Sequence, residues 1–197
     1  MAKMDFMRSV LFFIAERFPK GSIWQTRYIN FPLTLVASTL ALTQTGLGLG
    51  QRLAWFVLGL AGWTLLEYVL HRWVLHWNPA TKLGEAFLKR LHIFHHEAPA
   101  DQTQVCVPLA MSVPLWLAFY GVLVLLGGGI EASLIATCGV ATMMVIYDLA
   151  HFSAHYMPAT NGFLKVIKKH HMQHHFSDHT RRFSVTSPVW DYVFRTH

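Results

Sequence analysis

The sequence predicts an all-α integral membrane fold: four transmembrane helices in two hairpins, an N-terminal interfacial helix, and a histidine-rich cytoplasmic helical cap. Three observations predict it. Of 197 residues, 53% are apolar and only 13% charged, outside the ordinary soluble range. Long charge-free runs alternate with short polar links. All thirteen histidines fall outside those runs, in the segments after the second and fourth of them. A mean hydropathy of +0.35 excludes a disordered chain or a disulfide-rich secreted module. Cys106 and Cys138 both lie in apolar runs, so neither a disulfide framework nor a cysteine metal site is implied. The net charge of +6 comes from basic residues that flank apolar segments, which points to lipid headgroups and away from nucleic acid.

Taken in order, residues 1–30 carry apolar side chains at Met4, Met7, Leu11, Ile14 and Phe18, followed by Trp24 and Tyr28. This stripe has no small-residue cleavage site and reads as a helix lying in the interface. Span one runs from Phe31 to Gly50, with Pro32 at a favourable first-turn position. After Arg52, span two runs from Leu53 to Leu70, carrying Glu67 near its end, and the short link makes the two a hairpin. Span three, Val105 to Ile130, has no charge; span four, Ala132 to Tyr147, completes a second hairpin. Its apolar part covers only about 24 Å at 1.5 Å per residue, so its helix is expected to continue through Asp148 toward His155. One domain, 1–197, results: a membrane core over 31–155, with a 71–104 connection, and a cap over 156–197. Fifteen of 16 Lys and Arg residues fall before span one, between spans two and three, or after span four; only Arg52 lies across the membrane. The positive-inside tendency therefore puts the termini, the connection and every histidine in the cytoplasm.

The histidines carry the chemistry. His71 and His76 form H-x4-H, His92, His95 and His96 form H-x2-HH, His151 and His155 form H-x3-H, and His171, His174 and His175 form a second H-x2-HH. Separations of three and four put side chains on one helical face, where imidazoles can converge on an ion. The H-x4-H pair breaks this rule, so either the helix widens or ends there, or His71 and His76 serve different metals. Ten ligands exceed what one ion takes; two ions with about five each would be near-octahedral with a position open, whereas a closed structural zinc site uses four. His170, His179 and His197 fall outside the pattern and are read as solvated or supporting residues. Metal-bound imidazoles usually donate their second nitrogen to a carboxylate or carbonyl. Glu67, Glu97, Asp148, Asp178 and Asp191 stand close enough in sequence to serve, with ion pairs to Arg72 or Lys168 as the competing use.

These four boxes, in this order around two membrane hairpins, resemble the fatty acid hydroxylase superfamily over residues 50–197. The fatty acid 2-hydroxylase branch is the most similar, through the box spacings and the closing segment Thr186-Ser187-Pro188-Val189-Trp190-Asp191-Tyr192. The resemblance implies a dinuclear membrane oxygenase. It would use O2 and external electrons to hydroxylate a lipid acyl chain, with all ten box histidines as ligands of two irons, which zinc can replace in purified protein. Larger members carry an N-terminal haem-binding domain with no counterpart here, so the expected electron donor is a separate ferredoxin or cytochrome b5 type carrier. The basic residues Lys165, Lys168, Lys169, Arg181 and Arg182 offer it an acidic-partner surface, with headgroup contact as the plainer use. A centre near the interface would reach carbons close to the carboxyl end, which suits the 2-position. Trp63, Phe119, Tyr120 and Phe152 are candidates for the tunnel wall or for core packing. The expected location is the bacterial inner membrane before the endoplasmic reticulum. Carotenoid hydroxylases and sterol desaturases share the box chemistry. A haem electron carrier would need a histidine from each of two facing helices within the bilayer, and a metal transporter would need polar residues along the spans at the midplane; spans one and three offer neither.

Overall fold

The computed structural model describes residues 20–197 together with Phe6, Ser9 and Val10. Most of the proposed interfacial stripe, including Met4, Met7, Leu11, Ile14 and Phe18, lies outside the described residues. Every regular element among the described residues is a helix, without a strand. A helical turn, Ile23–Gln25, and a widened turn, Thr26–Asn30, lead into α1 (Phe31–Gln44). Then follow α2 (Leu49–Val69), α3 (Lys82–Leu88), α4 (Phe94–Glu97), α5 (Leu109–Leu125), α6 (Ile130–Tyr156), α7 (Gly162–Phe176) and α8 (Val189–Val193).

Two helical stretches are long and apolar enough to cross a membrane: Leu49–Leu75, which is α2 with its widened extension, and Ile130–Tyr156. The second confirms that the fourth apolar run continues past Asp148. The first run is shorter than its composition suggests. α1 ends at Gln44, because Thr45 turns to an extended backbone and the Gly46 N–H donates to both oxygens of Glu131, at 3.0 and 3.2 Å. A charged group at the start of α6 thus holds the turn of the first hairpin. The third run yields a helix only from Leu109, since residues 105–108 pass as a loop beneath it, with Val105 and Cys106 buried.

α6 is the central element, packed against α1, α2, α5 and α7. Its contact with α2 depends on two glycines that face each other's backbones. A Cβ on Gly59 would sit 2.0 Å from the Ala136 carbonyl oxygen, and one on Gly139 would sit 2.3 Å from that of Phe56. Helices in lipid gain little by burying apolar surface against each other, so close backbone approach through small residues is what holds them. A Ser38–Thr142 hydroxyl pair at 3.1 Å ties α1 to the same helix. Facing outward, Leu35 (54% exposed), Val57 (59%), Leu117 (65%) and Leu126 (78%) present an apolar surface that suits hydrocarbon and not water.

Candidate metal centre

All ten box histidines meet at one end of the bundle, in two groups of five. His71, His76, His92, His96 and His174 form one; His95, His151, His155, His171 and His175 form the other, and within each group the candidate ligand atoms lie within 4.8 Å of one another. Each H-x2-HH box is divided between the groups. His92 and His96 belong to the first while His95 belongs to the second; His174 belongs to the first while His171 and His175 belong to the second. The H-x4-H pair stays together because the helix widens: Leu70–Leu75 is a π-helical stretch, closed by the His76 N–H donating to the His71 carbonyl at 3.1 Å. The extra residue per turn brings i and i+5 onto one face, so the irregular spacing is resolved by a widened helix and both rings join one group of candidate ligands. A second widened stretch, Lys89–Ile93, delivers His92.

The donor geometry fits metal ions. In the first group, the Nε2 atoms of His71 and His92 are 2.9 Å apart, and that of His76 lies 3.1 to 3.2 Å from those of His71, His92 and His174. In the second, His95 and His151 are 3.0 Å apart and His155 and His171 2.8 Å. Two nitrogens bound at right angles to one ion at about 2.0–2.1 Å would themselves be about 3 Å apart. Hydrogen bonding accounts for only part of the first cluster, because the Nε2 atoms of His71, His76 and His92 lie within 3.2 Å of one another and single protons cannot bridge all three contacts once His71 Nε2 is bare. His71 Nδ1 meets the Phe183 carbonyl and His174 Nδ1 meets that of Arg181, at 2.6 Å for the latter. Carbonyls only accept, so those protons are on Nδ1 and both Nε2 atoms present bare lone pairs. Lone pairs facing one another in a buried site are stable around a cation.

The electrostatics agree. Burial first, then the neighbouring imidazoles, lower the His76 pKa to about 3 and that of His96 to about 2. Burial likewise takes His95 to about 3 and His174 to about 4, and holds His92, His171 and His175 below the ordinary histidine range. At neutral pH these rings are uncharged, the state a metal ligand requires.

The five acidic residues take other partners. Glu67 is buried and accepts from the N–H groups of Val185 (3.0 Å) and Thr186 (2.9 Å) and from the Thr186 hydroxyl (2.8 Å). Asp148 accepts from the Thr26 hydroxyl at 2.6 Å and the Val107 N–H at 3.0 Å. Asp191 accepts from Phe183 N–H, Ser184 N–H, the Thr196 hydroxyl and His170, a non-box histidine. Burial alone would raise the Asp191 pKa, and these bonds together outweigh it and hold it low. Glu97 pairs with Lys89 at 3.3 Å, and Asp178 accepts from Thr180. Among the described residues no carboxylate bonds a box imidazole; the backbone carbonyls of Arg181 and Phe183 do so instead. Arg72 and Lys168 are not their partners either, donating to the Tyr68 hydroxyl and the Met157 carbonyl. Those carbonyls carry no side-chain signature, and the closing segment beside them was the one signal in the sequence.

A cavity of about 220 Å³ adjoins the centre and touches both groups, through His71 and His92 of the first and His151 of the second. Its wall is mostly apolar, including Leu70, Val74, Met111 and Leu115, with Tyr147, Glu67 and Gln104 as polar exceptions. Of the four aromatics proposed for a tunnel, Trp63 lines it; Phe119 packs against the buried cluster of Trp63, Val140 and Met144, and Phe152 lines a separate groove with Arg27.

An all-helical, apolar bundle with ten histidines at one end in two groups defines a histidine-box membrane protein. The sequence matches the fatty acid hydroxylase family model over residues 56–196, and the chain belongs to that family. It is 30% identical, over 77% of its length, to the ceramide very long chain fatty acid hydroxylase scs7 of Schizosaccharomyces pombe, of which it covers 44%. It is 31% identical to a dihydroceramide fatty acyl 2-hydroxylase of Arabidopsis thaliana (71% of this chain, 59% of the relative). It is 33% identical to the fatty acid 2-hydroxylase of Mus musculus (72% and 38%). The chain thus spans roughly two to three fifths of the length of these curated relatives. A solved structure described as full-length scs7p, with only its hydroxylase domain visible, superposes with a TM-score of 0.79 at 30% identity, over 90% of this chain and 67% of that one.

Proposed function

We propose that the chain, as a single domain over 1–197, hydroxylates the acyl chain of a membrane lipid at its 2-position. It would use O2, two irons held five histidines apiece, and electrons from a separate ferredoxin or cytochrome b5 type donor. The observation that carries this reading is the cavity whose wall includes ligand candidates from both groups. The names of the relatives, fatty acid 2-hydroxylase and dihydroceramide fatty acyl 2-hydroxylase, support the substrate class. The bound metal pair would supply the redox chemistry that activates oxygen.

The residues do the rest. Leu70, Val74, Met111 and Leu115 exclude water and accept methylene groups, so that a chain entering between α2 and α5 ends beside His71, His92 and His151. The headgroup would stay at the water edge, and carbons close to the carboxyl end would lie nearest the histidines. Glu67 is not free to take a proton from the substrate, because both its oxygens are engaged by Val185 and Thr186. The topology proposed is four spans, with α1 and α5 completing the hairpins begun by the two long helices. The histidine end and the helical cap would be cytoplasmic, in the bacterial inner membrane. Lys165, Lys168, Lys169, Arg181 and Arg182 would receive the donor.

The test is lipid mass spectrometry of a host expressing the intact chain beside a His174→Ala, His175→Ala double variant. Acyl species bearing one added oxygen at carbon 2, present only with the intact chain, are expected. Hydroxylated carotenoid or sterol products in their place would overturn the substrate assignment.

A further inference from the structure

The two histidine groups are supported differently by the protein around them. Residues 181–186 run as a strap across the first group, and two of their carbonyls receive His71 Nδ1 and His174 Nδ1. The strap is itself fixed from both sides. Glu67, one turn before His71 on α2, takes the Val185 and Thr186 N–H groups; Asp191, on α8, takes those of Phe183 and Ser184. Between the two receiving carbonyls, Arg182 adopts a left-handed backbone with φ of 60°, and its N–H donates to the Thr196 carbonyl at 2.7 Å. That turn aims the Arg181 and Phe183 carbonyls at different imidazoles, and such a conformation persists only where surrounding bonds enforce it. The second group has no counterpart. The Nδ1 atoms of His95, His151, His171 and His175 are buried and meet no hydrogen-bonding group among the described residues.

A carbonyl on Nδ1–H fixes the tautomer, orients the ring and makes Nε2 a stronger donor to a metal. We propose that the strap makes the two sites unequal: the His71 group takes its ion first and releases it last, and Glu67 and Asp191 are positioning residues acting through the strap. The inference rests on the dimetal reading above and adds a ranking to it.

The test is titration of the metal-free chain in detergent with cobalt(II) against a competing chelator, followed by absorption. Two steps are expected, the tighter at roughly 10-fold or more lower free cobalt. His71→Ala should move the tighter step and His171→Ala the weaker. Glu67→Ala should weaken the tighter step by roughly 10–100-fold and leave the other in place, while Glu67→Gln, which can still accept both amides, restores it. Thr186→Val removes only the hydroxyl donor to Glu67; it should shift the same step by less and serves if Glu67→Ala does not fold. A single step, a tighter step that follows His171, or equal movement of both steps in the Glu67 and Thr186 variants would overturn the ranking while leaving a dimetal centre. Folded protein that binds no cobalt would overturn both.

Discussion

His76, His96 and His174 show how burial would prepare an imidazole to bind a metal. An ordinary imidazole titrates near 6.5, so protons would begin to compete with the metal just below neutrality; these three are lowered to about 3, 2 and 4. Metal affinity is therefore expected to stay flat from about pH 7.5 down to about pH 5, where unshifted histidines would already have lost most of theirs. Metal competition against a chelator of known pH dependence measures it. For the metal-free protein, an unfolded chain takes up protons below about 6.5 that the folded chain refuses. The histidines' contribution to stability should then be constant above that value and fall as the pH drops toward 4 and 3, and the difference between the intact chain and a His174→Ala variant, denatured in detergent at stepped pH, will show it. Spacing made His96 and His174 legible in the sequence, because each stands in an H-x2-HH box whose imidazoles gather on one side of a helix; His76, five residues after His71, was legible only through its neighbour. The partners of their second nitrogens were not legible. Proximity in sequence pointed to Glu97 and Asp178, yet Glu97 is held by Lys89 at the surface and Asp178 turns back on Thr180. The groups that do the work are main-chain carbonyls, which every residue has.

At the level of elements, the histidines stay aligned only if α2 and α6 keep their distance, since α6 carries His151 and His155 and the extension of α2 carries His71. Gly139 sets that distance. Gly139→Ala puts a methyl 2.3 Å from the Phe56 oxygen, a clash with backbone that no rotamer relieves. The expected result is a loss of about 1–3 kcal/mol or more in stability, with a parallel loss of bound metal, measured by thermal unfolding and elemental analysis. Hydropathy located this helix pair because both runs are long and apolar. It overestimated the first run, because Thr45 and Gly46 carry no charge to end it while the Glu131 carboxylate caps the turn from another part of the chain. The widened stretch at Leu70–Leu75 stood as one of three solutions to the H-x4-H spacing, beside a helix end and two separate metals, and only the fold could choose among them.

For the molecule as a whole, the apolar exterior and the separation of charge set an orientation that labelling can read. Cys106 and Cys138 are both buried, so a single introduced thiol reports its own side. Leu126→Cys, in the turn after α5, should react from outside the cytoplasm, and His179→Cys from the cytoplasmic side, in sealed vesicles of either orientation. Reversed labelling would invert the topology and put the histidines on the opposite face. The interleaving of the two H-x2-HH boxes bears on how the protein is made. Neither group is complete until His174 and His175 have been synthesised and α7 has docked, so a ribosome-bound chain offers passing ions only fragments. Imidazole fragments favour copper and zinc over iron. On the di-iron reading proposed above, selection of the metal therefore falls to the finished protein and to whatever ions its compartment holds at that moment, and iron starvation during expression should yield a folded chain carrying another metal.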